Sequence, residues 1–120
     1  MEMVEVRTAD LIDGALNWAV AKAECLHPFI LSGGMYCGTV VAIGNDNTWS
    51  PSTNWSQGGP LIEKFILELK FCVFELPQES WKAETHTSWA NGSTALISSM
   101  RAIVHAILGE IVSVPKELMK

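Results

Sequence analysis

The sequence predicts an α+β domain: a small antiparallel or mixed sheet with two main helices and one short helix packed on it. Two patterns carry this. Residues 14–24 and 94–108 place apolar side chains at i, i+3 and i+4, the helical period. Around them lie short β-branched or alternating runs, set apart by Gly, Pro and Asn. The alternation is too irregular for a doubly wound parallel sheet.

Taken in order, residues 3–7 read as a strand, with Val4 and Val6 alternating against Glu5 and Arg7. Asp13 is placed to cap the first helix, where a carboxylate meets free backbone amides. Ala15, Leu16, Ala19, Val20 and Ala23 form one face of it; Trp18 and Ala21 widen that face, so the helix is expected to be buried on most sides. Residues 29–37 give no clear pattern. Residues 38–43 are β-branched and uncharged, as in an inner strand. A turn is expected at 44–47.

Pro60 suits the first position of a short helix over 61–65. Residues 66–74 and 81–86 read as strands, and Asn91-Gly92 as a turn. The longest helix follows at 94–108, capped by Ser93 or Thr94 and closed by Gly109 in the left-handed position. Its polar stripe is narrow: Ser98, Arg101 and His105. A last strand spans 110–114. With no internal repeat or linker, residues 1–120 are expected to be a single domain.

Hydrophobic residues make up 48% of the chain and charged residues 18%. The charged share is below the usual ~25%, so part of the apolar surface is expected to be covered by a second copy of the chain. Net charge is −5, and the eight Lys and Arg are scattered with no two adjacent. Nucleic acid needs a concentrated positive field and is not an expected partner. Neither is a membrane, since no apolar run approaches the ~20 residues that span a bilayer. Cys25, Cys37 and Cys72 are odd in number and widely spaced, which argues for reduced thiols in a cytoplasm. The acidic start of the chain does not resemble a signal peptide.

The densest feature is the stretch 49–60, Trp49-Ser50-Pro51-Ser52-Thr53-Asn54-Trp55-Ser56-Gln57-Gly58-Gly59-Pro60. Two indoles six residues apart flank small polar and turn-forming residues. Trp49 and Trp55 have the flat area to stack on a base or a sugar. Ser52, Thr53, Asn54 and Gln57 could supply hydrogen bonds, and Gly58 and Gly59 could offer backbone amides to an anion. The plainer alternative is that the tryptophans pin the loop to the core and the glycines only turn the chain. No Gly-Lys-Ser/Thr follows, so this is not a phosphate-binding loop in the strict sense.

Three segments occur in order: 16–24 (Leu-Asn-Trp-Ala-Val-Ala-Lys-Ala-Glu), 50–63 around Trp55, and Met100-Arg101-Ala102 with Leu108-Gly109 and Val114-Pro115. Together they resemble the NinX-like proteins of lambdoid phages and prophages, across nearly the whole chain. The resemblance implies a NinX-like domain from a phage or prophage, working in the cytoplasm of a bacterial host, and it implies no known activity. It also implies an acid before each motif tryptophan and a Tyr at position 49. Here those positions hold Asn17, Asn54 and Trp49. Proton transfer by such acids would be lost in this chain.

No residues gather into a recognisable catalytic or metal-binding motif. His27, His86 and His105 form no His-x-x-x-His pair, so neither a metal nor another cofactor is expected. Cys72 lies in an apolar run and reads as core; Cys37, Glu63, Glu84 and Glu110 have no local activator. His105 beside Arg101 reads as a helix-surface pair. Trp81 and Trp89 bracket Thr85, His86, Thr87 and Ser88, either as part of the cleft formed by the first tryptophans or as a strand end and turn.

The expected function is that of an uncharacterised, non-catalytic phage accessory protein. It would act through contacts with a host protein or through self-assembly as a homo-oligomer, with the 49–60 loop as recognition surface. The alternative is a binder or sequestering protein for a nucleotide-like or other small polar ligand.

Overall fold

The computed structural model describes residues 2–32, 39–44, 47–72 and 80–119. The expected strand position Gly38, the thiol of Cys37, the turn residues Asn45 and Asp46, and the last two residues of the 66–74 strand, Val73 and Phe74, lie outside them. Among the described residues three helices and eight short strands alternate: β1 (Met3–Arg7), α1 (Asp13–Ala23), β2 (Phe29–Ser32), β3 (Thr39–Ile43), β4 (Asn47–Thr48), α2 (Trp55–Phe65), β5 (Glu68–Phe71), β6 (Trp81–Glu84), β7 (Trp89–Gly92), α3 (Ala95–Leu108) and β8 (Ile111–Pro115). The fold is α+β, as the sequence predicts. Its strands form three small antiparallel sheets, β1–β8, β2–β3–β4 and β5–β6–β7, instead of one.

Helix α3 is the hub. It packs against α1, α2 and the β5–β6–β7 sheet, and every residue from Ala95 to Val104 is buried. Leu11, Leu16, Val20, Met100, Ile103 and Val104 are fully enclosed in one core cluster. The β1–β8 ribbon closes that core by alternation: Val4 stands opposite Val114 and Val6 opposite Val112, with Glu5 opposite Ser113 on the outer face. Thr94 caps α3 as the sequence suggests, accepting the Ile97 amide on its hydroxyl at 3.0 Å. Thr94→Ala is expected to cost about 1 kcal/mol and ~4 °C of melting temperature, read by thermal unfolding.

The structure differs from expectation at several points, each for a local reason. Asp13 is the first residue of α1, with φ +50°, and Ile12 occupies the cap position without a side-chain bond. Helix α2 begins at Trp55, because Asn54 caps it there, accepting the Ser56 amide at 2.9 Å. Gly58, Gly59 and Pro60 are therefore inside a helix of 11 residues, the same length as α1. Asn91 and Gly92 belong to β7, and the turn before it is at Thr85–Ser88, where the Thr85 amide bonds Ser88 O at 2.7 Å. The stripe expected to be polar is covered: Ser98 and Arg101 are buried because β6 and β7 lie over that side of α3. Arg101 is no surface partner for His105. Its Nε donates to Leu11 O at 2.8 Å and its Nη1 to Asn91 O at 2.9 Å, tying the entry to α1 and strand β7 onto α3. Cys72 is half-buried and Cys25 exposed, so neither is a core thiol.

Candidate functional site

The 49–60 stretch is fastened from within. The Trp49 amide donates to Val41 O at 2.8 Å, and the Thr53 and Asn54 amides turn back to Ser50 O at 3.1 and 2.9 Å. Gln57 reaches out of α2 to both sides of the loop entry: its Oε1 accepts the Ser50 amide at 2.7 Å and its Nε2 donates to Thr48 O at 2.8 Å. Ser52 is buried, and its amide and hydroxyl both donate to Asn17 Oδ1, at 3.0 and 2.7 Å. A loop with this many internal bonds is held in one shape before any partner arrives, which lowers the entropy lost on binding.

Both asparagines that stand before the motif tryptophans act through their oxygens. Asn17 accepts from Ser52 and Asn54 accepts from Ser56. A carboxylate is also an acceptor and would fill either place. Asn17 and Asn54 thus shape this loop as hydrogen-bond acceptors.

The two loop tryptophans part company. Trp49 turns inward and packs on the core. Trp55, in the first turn of α2, is 57% exposed. Its outward ring lines an open groove of about 430 Å³ together with Thr53, Trp81, Thr94, Leu96 and Ile97. Phe71 extends the aromatic surface beyond it: its ring meets Trp81 edge-on, with centroids 5.4 Å apart, and is itself 55% exposed.

Of the residues singled out in the sequence, Thr53, Trp55 and Ser52 reach this groove, whereas Asn54, Gln57 and Trp49 shape the loop behind it. Gly58 is buried and its amide bonds Asn54 O at 2.8 Å, so it faces no anion. Gly59 lies in the same helix, one residue on. Trp81 joins the groove and Trp89 does not.

A second depression lies at the other end of β7. About 420 Å³ is lined by Thr8, Ser88, Trp89, Asn91, His105 and Glu110, and an adjoining space of about 370 Å³ by Arg7, Ala9, His105, Glu110 and Ile111. His105 thus meets a carboxylate in a cleft beside Trp89. Ser88 and His105 are 17 residues apart in the chain, a spacing that no local pattern reveals. No three His, Cys, Asp or Glu side chains gather at metal-binding distance among the described residues. None of the described helices is long and apolar enough to cross a membrane.

Fold and loop together define a class: a small α+β domain of short antiparallel sheets around two largely buried helices, α1 and α3, carrying a turn-rich tryptophan loop tied by internal hydrogen bonds. The chain belongs to the phage family described as bacteriophage P22, NinX, which matches residues 7–106. That span takes in the whole 49–60 loop and stops inside α3, before Glu110 and β8. No curated protein matches the chain.

Proposed function

We propose that the protein is a phage accessory protein of the bacterial host cytoplasm that acts through protein–protein contacts, with the outer side of the 49–60 loop as the recognition surface. The observation that supports this is the aromatic face. Trp55, which lines the groove, and Phe71, whose ring meets Trp81 of that groove, are each more than half exposed, and the neighbouring loop is tied by internal hydrogen bonds. Exposed apolar surface of this kind is costly in water and is usually covered by another protein, and Trp is the residue type most enriched among those that dominate binding energy. Membership of a phage family supports the setting.

The favoured occupant is a second copy of the chain. The groove lining is uncharged, built from Ser, Thr, aliphatic and aromatic residues, so two copies can meet there about a two-fold axis without like-charge repulsion. Light scattering over a concentration series is expected to show a dimer that dissociates on dilution. A monomer at every concentration, with no host protein retained on the immobilised chain, would remove the proposal. The groove is open and its polar groups are hydroxyls without a charged anchor, which favours protein contacts over capture of a small charged ligand.

A further inference from the structure

The cleft beside Trp89 holds a nucleophile, a base and an orienting acid that no sequence motif announces. Ser88 Oγ lies in hydrogen-bonding contact with His105 Nδ1. On the other side of the same ring, Nε2 stands 4.0 Å from Glu110 Oε1. A carboxylate there favours the tautomer with its proton on Nε2, which leaves the Nδ1 lone pair facing the serine hydroxyl. This is the relation that activates a serine: hydroxyl on base, base oriented by a third group.

The serine is also held in place. It ends the Thr85–Ser88 turn, where its amide donates to Thr85 Oγ1 at 3.0 Å and its carbonyl accepts the Thr85 amide at 2.7 Å. Thr8 and Thr87 also bring hydroxyls to the cleft, and that of Thr8 is committed to Gly109 O at 2.6 Å. That bond and the Thr8 amide to Glu110 O at 2.8 Å fix the chain that carries Glu110.

An oxyanion donor follows from the strand register. Thr85 and Ser88 form a hydrogen-bonded pair, so the next pair, Glu84 and Trp89, is a non-bonded one and the Trp89 amide points away from β6. Asn91, two residues on and of the same parity, turns its carbonyl to Arg101 of α3. The free edge of β7 therefore faces the helix that carries His105. An amide directly after the nucleophile is a standard donor to the oxygen of a tetrahedral intermediate.

We infer that Ser88, His105 and Glu110 form a second site, distinct from the Trp55 face, that hydrolyses small carboxylic esters, with Trp89 as the apolar wall for the leaving group. Ser88 Oγ bonds to the acyl carbon as its proton passes to His105 Nδ1. The ester C–O bond breaks, and the departing alcohol oxygen takes that proton. Water, deprotonated by the same nitrogen, then cleaves the acyl-serine, which restores the Ser88 hydroxyl and releases the acid. The sum is ester plus water giving acid plus alcohol. Glu110 is 85% exposed, so it acts as a positioning residue and not as a buried charge.

The test combines labelling and turnover. The full chain is treated with a fluorophosphonate and the adduct located by peptide mass; p-nitrophenyl acetate reports hydrolysis. The expected results are one adduct, on Ser88, and hydrolysis that falls about 100-fold in Ser88→Ala and in His105→Gln. Glu110→Gln is expected to slow acylation several-fold at unchanged half-saturation, which a merely structural change would not do selectively. No adduct, an adduct on another residue, or wild-type hydrolysis by Ser88→Ala would overturn the assignment. The adduct is read on the unaltered chain, so the result does not depend on any variant folding.

Discussion

Gly58→Val is expected to destabilise the protein by about 3 kcal/mol, lowering the melting temperature by ~12 °C in a thermal unfolding scan. A Cβ at this position would stand 2.4 Å from Pro51 O and 2.5 Å from Leu96 Cδ2. Leu96 can turn aside. The Pro51 carbonyl cannot, because Pro51 is fully buried in a loop fixed by the bonds of Ser52 to Asn17 and of Ser50 to Gln57. Gly58 is where α2 slides against its own preceding loop. The β-branched side chain would force the two apart and move Trp55 with them.

Gly59→Ala is the matched control. Its Cβ would meet only Trp55 Cε3, at 3.9 Å, an ordinary contact. Alanine is a better helix former than glycine, so this variant is expected to be neutral or stabilised by up to ~1 kcal/mol. A pair of adjacent glycines with opposite responses separates close packing from backbone freedom. Equal responses would show that the loop and α2 are not packed as described.

Arg101→Met has the second large effect, also about 3 kcal/mol by denaturant or thermal unfolding. The residue is only 7% exposed, and its Nε and Nη1 serve carbonyls from different elements, Leu11 before α1 and Asn91 in β7. Methionine keeps the stem volume but leaves both carbonyls without that donor. Arg101→Lys is expected to recover little, since an ammonium on a flexible stem does not reproduce a planar fork aimed at two acceptors. A loss below ~1 kcal/mol would mean that water readily replaces the guanidinium at both carbonyls.

Arg101 also marks what was and was not legible in the sequence. The period of α1 and α3 and the alternation of β1 with β8 come from side chains that face one common core, and such patterns can be read locally. The Ser98–Arg101–His105 stripe looks like a solvent face on a helical wheel. Its Ser98 and Arg101 are covered by the β5–β6–β7 sheet, and the arginine is satisfied by carbonyls that the wheel does not contain. Helix α2 was obscured by its own residues. Gly58, Gly59 and Pro60 are poor helix formers, and the cap at Asn54 together with burial of Gly58 and Leu61 outweighs their preference.

The same division applies to the candidate sites. The 49–60 loop stands out because turn residues and indoles are dense there, yet the sequence does not say which indole faces outward. That depends on Val41 receiving the Trp49 amide and on Trp55 starting a helix. Trp81, from strand β6, completes the groove, and only the fold brings it near. The sequence singles out Ser88, His105 and Glu110 separately but not their meeting, for a related reason: they come from a hairpin turn, a helix and the residue after a glycine cap.

The two loop indoles face opposite ways, Trp49 onto the core and Trp55 outward, and the proposed partner surface requires Trp55 to be dispensable for folding. The most direct test is Trp55→Ala, measured for melting temperature and for self-association by sedimentation in the same preparation. The expected result is a melting temperature within ~2 °C of the parent, as for an exposed side chain, and dimerisation weakened at least ~10-fold, as for a dominant interface residue. A melting temperature lowered by ~10 °C, as for loss of a core aromatic, with self-association unchanged, would contradict the account.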